Sequence, residues 1–290
     1  MQKPSALPPS LFELRRTGSP QPSARSAWRP SLLKSIVLAA HTVLALRVMP
    51  DRFCFDHTFL RPEENLAADE ALLNWCTQHP GTEALRFWES PSLFVVLGHG
   101  NRTASEVNQA ACKQQDIPIL RRCSGGGTVL QGPGCLNYAL ILQIDSHPEL
   151  RSVTSTNTAI MERNRSILAP LAPAPITIQG HTDLAIEGRK FSGNAQKRTR
   201  SHILFHGTFL LSMDLNQIRQ VLHHPSLEPS YRAGRDHSDF LCHFPASGEA
   251  VRNQMQSGWQ AVTPFTAPLE SEMRTLLQER YTLASWHNKR

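Results

Sequence analysis

Two short segments of the 290-residue chain hold residues that could do chemistry on an anion. In "EGRKFSGNAQKR", residues 187–198, Lys190 stands between a glycine turn and a run of small side chains. Such an ammonium is either solvated or held against an anionic reacting group, and the lysine alone leaves both open. In "RRCSGGGTV", residues 121–129, Gly125, Gly126 and Gly127 follow an apolar strand, with Arg121 and Arg122 beside them. Backbone without Cβ atoms can approach a ligand closely and point its N–H groups at an anion, while the arginines supply charge. The spacing fits neither the P-loop nor the dinucleotide fingerprint. Alone, a triple glycine equally suits a β-bulge or a tight turn.

The remaining reactive residue types are scattered. Six cysteines, Cys54, Cys76, Cys112, Cys123, Cys135 and Cys242, include no C-x-x-C pair and read as reduced thiols of a cytosol-like compartment. His223, His224, His237 and the Cys242-His243 pair match no zinc-ligand spacing, so no metal ligands are expected there.

Composition narrows the function classes. The net charge of +6 is confined to residues 1–50, where seven basic residues face Glu13 alone; the rest is balanced at 23 of each sign. A neutral body argues against a nucleic-acid partner. The Ser-, Pro- and Arg-rich residues 1–47 read as a disordered extension or an over-long translation start, although the composition also suits an organelle transit peptide. The apolar run after it is broken by Lys34 and His41, so no spanning helix and no membrane partner are expected.

Elements that could position the two segments follow from periodicity. "RPEENLAADEALLNWCTQHPG" has Pro62 and two glutamates at its start, Leu66, Leu72, Leu73 and Cys76 at helical spacing, and a Pro80-Gly81 stop. "ALRFWESPSLFVVLG" reads as two short strands, and "IPILRRCSGGGTVLQGPGCLNYALILQI" as adjacent strands with glycine-rich turns. Ile160, Ile167, Leu168 and Leu171 mark a helix, "TDLAIEGRKFSG" a hairpin turning at Glu187-Gly188, and "SHILFHGTFLLSM" a strand. Asp214 caps a helix over "LNQIRQVL", residues 223–248 read as a long loop, and "PLESEMRTLLQERY" as a closing helix. Helices and strands without strict alternation predict an α+β domain with a mixed β-sheet over residues 48–290.

In combination, "ENLAADEALL", "RFWESPSLFVVLG" with Asn101 and Arg102, "RRCSGGGTV" with Asn137, "TDLAIEGRKFSGNAQ" and "HGTFLL" closely resemble the lipoate–protein ligase branch of the biotin/lipoate ligase and octanoyltransferase superfamily, over roughly residues 48–240. The resemblance implies a mixed sheet flanked by helices that activates lipoate or octanoate with ATP and Mg²⁺. The acyl-adenylate then passes its acyl group to a lysine of an apo-lipoyl carrier domain, from a 2-oxoacid dehydrogenase or a glycine cleavage H protein. It places Arg121, Gly125, Gly126 and Gly127 along the acyl and adenylate path, and Asn137 and Asp183 near the nucleotide and its metal. Ser192, Gly193 and His206 fall in the substrate pocket, and Lys190 on the acyl-phosphate. That role suits an ammonium: it can neutralise charge on the phosphorus oxygens and then on the acyl carbonyl, and losing one such donor typically costs about 3–4 kcal/mol. Lys197, Arg198 and Arg200 are expected to be solvated or, at most, a docking patch for an acidic carrier.

The same superfamily holds transferases that pass octanoyl groups through a cysteine thioester without ATP. The segment that leads into the lysine motif, "APAPITIQGH", has no cysteine, leaving Cys135 and Cys123 as alternative nucleophiles. A non-catalytic lipoate-binding protein is a third reading. Many ligases also carry a C-terminal accessory domain; with the sequence ending at Arg290, the expectation is either a separate accessory subunit or a protein that only transfers a preformed acyl group. A cytoplasmic enzyme is expected.

Overall fold

The computed structural model describes residues 50–289, and the basic leader lies outside them. In chain order the main elements are β1 (Asp51–Asp56), α1 (Pro62–Gln78), β2 (Thr82–Trp88), β3 (Phe94–Leu97), α2 (Gln109–Gln114), β4 (Ile119–Arg121), β5 (Val129–Gln131) and β6 (Cys135–Gln143). Then come α3 (Val153–Leu168), β7 (Ile176–Gln179), β8 (Asp183–Ile186), β9 (Arg189–Arg198), β10 (His202–Leu210), α4 (Leu215–Val221), α5 (Gly248–Trp259), β11 (Thr263–Pro264) and α6 (Glu270–Leu276). An eight-stranded sheet runs β11-β1-β2-β6-β10-β9-β8-β7, parallel at its β11-β1-β2 end and antiparallel beyond. A second sheet has the order β4-β3-β5. This is the α+β architecture with a mixed sheet that the sequence predicts.

Strand alternation assigns the two faces of the large sheet. Leu85 and Phe87 of β2, Leu136, Tyr138 and Leu140 of β6, and Ile203, Phe205 and Phe209 of β10 form one apolar face. It is covered by Ile160, Met161 and Leu168 of α3 and by Val251, Met255 and Trp259 of α5. The alternate residues, Ala84, Trp88, Ala139, Ile141 and Leu204, lie against α1. Period-2 pleating thus sends even-numbered β10 residues and odd-numbered β6 residues to the α1 side.

Helix α1 departs from a simple amphipathic pattern: Asn65, Asp69 and Glu70 are buried along with its leucines. Each has a buried partner. Arg86 Nη1 donates to Asp69 Oδ1 at 2.5 Å, and Arg86 Nη2 donates to Asn65 Oδ1 at 2.9 Å. Tyr281 Oη donates to Glu70 Oε2 at 2.6 Å, and Lys197 and Arg280 pair with Oε1. Burial would raise the Glu70 carboxyl, but hydrogen bonds from Lys197 and Tyr281 outweigh it and hold it below the usual carboxylate range.

The structure corrects several sequence expectations. The two strands joined at Ser90-Pro91 enter different sheets. β4 and β5 both pair with β3 and not with each other. Residues 223–248 include a helical turn at His237–Phe240, and the helix α5 after them is one the sequence did not suggest. Its apolar residues Val251, Met255 and Trp259 do recur at four-residue spacing, but a Gly-, Ser- and Gln-rich composition masks them. Lys197 and Arg198 are half-buried in strand β9 and not in a solvated loop, Lys197 on Glu70 and Arg198 on Thr156 Oγ1 at 3.1 Å.

Candidate active site

A cavity of about 540 Å³ lies on the α1 side of the large sheet, walled by α1, β2, β6, β9, β10, the glycine loop and residues 222–241. Lys190, Asp183, Ser192, Gly193, Asn137, Gly126, Gly127 and His206 all line it. Gly125 and Arg121 do not.

Two rows across the strands build its floor. One row reads Asn137, Thr208, Gly193, Asp183 and the next Tyr138, Gly207, Asn194. Thr208 Oγ1 donates to Asn137 Oδ1 at 2.6 Å, and Asn137 Nδ2 donates to Gln131 Oε1 at 3.0 Å, so Asn137 is a fixed part of the wall. Each row contains one glycine. A Cβ at Gly193 would stand 2.6 Å from Lys190 Nζ, so the lysine can lie across that residue only because nothing projects from it.

The side on which Lys190 emerges is set by a bulge. Ser192 pairs with Leu184 but Lys190 pairs with Ala185, leaving Phe191 as an extra residue. In unbroken alternation Lys190 would share the apolar face with Ser192, whose row contains Leu136, Phe209 and Leu184. The bulge instead sends Phe191 into that core, stacked on Phe244, and turns Lys190 toward the cavity. There Nζ meets Asp183 Oδ1 at 2.8 Å, while Asp183 Oδ2 accepts from Tyr231 Oη at 2.8 Å. Ser192 is 1% exposed, and its hydroxyl accepts from Asn194 Nδ2 at 3.4 Å.

The glycine loop wraps Arg122. Its Nε donates to Ser124 Oγ at 2.9 Å and its Nη2 to the carbonyls of Gly125 at 2.5 Å and Gly127 at 2.8 Å. Gly126 has φ +86°, and a Cβ on it would stand 2.8 Å from Arg122 Nη2, so a side chain is excluded twice. Arg122 pairs with no carboxylate among the described residues, and burial pushes its guanidinium down to about 10. A buried cation held by carbonyls on a cavity wall is a built complement to an anion.

Arg121 is a correction. Adjacent strand residues point opposite ways, and Arg121 turns away from the cavity, fully buried. Its Nη1 donates to the carbonyls of Gly98 and Asn101 at 2.9 and 2.7 Å and its Nη2 to that of His287 at 2.8 Å. Arg121 therefore ties the C-terminal segment to the loop after β3, and Arg122 alone of the pair reaches the wall.

The inner end of the cavity is closed by ion pairing. His206 Nδ1 lies 3.0 Å from Asp69 Oδ2, Nε2 lies 2.6 Å from Ser124 Oγ, and Asp69 is held by Arg86. The connectivity resembles a hydrolase triad, but Ser124 is 1% exposed and accepts from Arg122, so it orients the guanidinium instead of attacking. Leu66, Trp88 and Val96 add an apolar lining, with Trp88 Nε1 buried and unpartnered. At the outer end Arg232 is 4% exposed and its Nη2 is likewise unpartnered. Burial, with the charges of Arg232 and His224, pushes the neighbouring His237 imidazole down to about 4.

The thiols are elsewhere. Cys123 and Cys135 are buried, neither lines the cavity, and burial pushes each up to about 12, which removes thiolate character. Cys135 Sγ packs 3.3 Å from Met213 Sδ. No group of three or more His, Cys, Asp or Glu able to hold a metal occurs among the described residues. Among them, too, no helix is long and apolar enough to cross a membrane.

The geometry can be set beside known proteins. An octanoyltransferase LipM of Halalkalibacterium halodurans is 26% identical over 264 residues, which is 78% of this chain and 94% of that protein. A probable lipoate-protein ligase A of Mycoplasma pneumoniae is 29% identical over 163 residues, 56% of this chain but only 46% of that protein. The crystal structure of a lipoate-protein ligase A bound with ATP superposes with a TM-score of 0.64 at 23% identity, covering 82% of this chain and 98% of that one, which shows the shared fold. Residues 61–236 match the lipoyl protein ligase A/B catalytic domain, and the chain belongs to that family.

Proposed function

We propose that the protein is a lipoate–protein ligase: it activates lipoate or octanoate with ATP and passes the acyl group to a lysine of an apo-lipoyl carrier domain. The observation that carries this reading is an ammonium on the cavity wall, Lys190, in a cavity with no cysteine on its wall among the described residues. Forming an acyl-adenylate brings a carboxylate onto a phosphate, and charge grows on oxygens that Lys190 can neutralise from its place across Gly193. Arg122, held by the Gly125 and Gly127 carbonyls, supplies further positive charge along the same wall. ATP provides the leaving pyrophosphate. Asp183, already bonded to Lys190 and Tyr231, is the nearest carboxylate to the lysine, and the described residues offer no cage for Mg²⁺. The donor set therefore fits an ion that arrives on nucleotide phosphates with most of its waters.

A second reading, ATP-independent octanoyl transfer, is favoured by one finding: the transferase relative matches over nearly its whole length, the ligase relative over less than half. The test offers purified protein and an apo-lipoyl domain either lipoate, ATP and Mg²⁺ or octanoyl carrier protein without ATP, and reads the acceptor's intact mass. A mass gain with the first donor set alone supports the ligase; a gain with the second alone overturns it. Adding each candidate accessory protein tests whether one is required.

A further inference from the structure

We propose that Asn194 is a positioning residue for Lys190, held in place by a hydrogen-bond chain that enters from the opposite side of the large sheet. The proposal rests on the reading of Lys190 as the catalytic ammonium. Trp259 Nε1 lies 2.8 Å from Asn164 Oδ1, Asn164 Nδ2 lies 2.8 Å from Tyr138 Oη, and Tyr138 Oη lies 2.6 Å from Asn194 Oδ1. An indole N–H can only donate, and that one fact fixes every later link. Asn164 must turn its oxygen to Trp259 and its amide to Tyr138. The tyrosine hydroxyl then donates onward, and Asn194 has its NH₂ left to donate to the Thr182 carbonyl at 2.7 Å. Thr182 Oγ1 returns a bond to the Asn194 carbonyl at 2.8 Å.

That reciprocal pair pins the residue next to Asp183, whose carboxylate holds Lys190 Nζ. The strand register makes room for it. Gly207 lies between Tyr138 and Asn194 in one cross-strand row, and a Cβ there would stand 1.7 Å from Asn194 Oδ1. The phenol can therefore reach across a strand to a carboxamide only over this glycine. Asn164 and Tyr138 are fully or almost fully buried, Tyr138 among the apolar side chains of the core. Polar groups at such depth must be satisfied by one another, so the chain has a single arrangement.

The test compares Asn194→Ala, Tyr138→Phe and Lys190→Ala, alone and combined, in the two-donor acylation assay. Competitive trace labelling of lysines with acetic anhydride, read by peptide mass spectrometry, accompanies it. Asn194→Ala is expected to lower kcat about 10- to 100-fold with KM for the acyl donor little changed, because a misplacement near 1 Å suffices for such a loss. Tyr138→Phe should fall between it and wild type, and Asn194→Ala should add no further loss in the Lys190→Ala background. Labelling of Lys190 relative to the other lysines should rise several-fold in Asn194→Ala as Asp183 loosens. Wild-type kcat and unchanged Lys190 labelling in Asn194→Ala would overturn the proposal, as would a loss of activity tracking a fall in Tm with labelling unchanged. Full activity in Lys190→Ala would instead overturn the functional reading. Labelling needs no turnover, so it still decides whether Asn194 holds the amine.

Discussion

The two ends of the cavity are built from different elements over one sheet and solve opposite problems. At the inner end Asp69, Arg86, His206 and Ser124 bond to one another, leaving Arg86 Nε without a partner, and Asp69 and Arg86 are almost wholly buried. At the outer end the Lys190–Asp183 pair is only partly covered, 24% and 13% exposed against 0% and 3% for Arg86 and Asp69. Satisfied charges in low dielectric serve shape, because removing either partner strands the other. Charges left partly exposed beside open volume serve chemistry, because an incoming anion can reach them.

The contrast is broken most severely by Asp69→Ala, which strands Arg86 in the interior and is expected to destabilise the fold by about 3–5 kcal/mol in urea unfolding. A cost below about 1 kcal/mol, the value of an exposed pair, would erase the distinction. Lys190→Ala is expected to lower the acylation rate by about 3–4 kcal/mol in activation free energy while leaving unfolding close to wild type, since Asp183 retains Tyr231. A large stability loss without a rate loss would move Lys190 into the structural class.

Acid sharpens the comparison. Burial would raise the carboxyls of Asp69 and Glu70, but their cationic and hydrogen-bonding partners outweigh it, so both lie below their usual values in the folded protein. Groups depressed in this way contribute stability above their unfolded pKa, about 4, and lose it as pH falls through the folded value. Stability should therefore begin to fall below about pH 6.5, where the unfolded chain protonates His237 and the folded one does not, and fall more steeply below pH 4 as Asp69 and Glu70 protonate. In Glu70→Gln the fall should be shallower, as followed by urea midpoints across pH. The smallest effect is expected for Cys135→Ala: activity within about twofold of wild type, because a thiol pushed up to about 12 and packed on Met213 takes no part in transfer. Loss of all transfer from octanoyl carrier protein in this variant would restore the thioester route.

Local pattern made much of this legible. The caps and spacing of α1, the Glu187-Gly188 turn and the alternating strands β6 and β10 are each written in neighbouring residues. Lys190 was legible as a candidate because its motif puts Gly193 three residues on, and the structure shows the two in contact range. The choice between Arg121 and Arg122 was not legible. Strand alternation says only that they face opposite ways; which one faces the cavity depends on β4 lying at the edge of the small sheet and on His287, far along the chain, accepting from Arg121. Asn194 was also passed over, although it sits inside the lysine motif, because its partners Tyr138, Asn164 and Thr182 come from three other elements.

By itself the sequence determined most of the helices and strands though not α5, which faces are apolar, and that a lysine and a glycine loop would be available to handle an anion. These are local properties, set by side-chain periodicity and by the absence of a Cβ at chosen positions. Only the tertiary structure decided which way the lysine points, which arginine meets the cavity and which carboxylates are paired. Those outcomes turn on one extra residue in β9 and on contacts between segments far apart in the chain, and a one-residue shift in a pleated strand exchanges core for cavity.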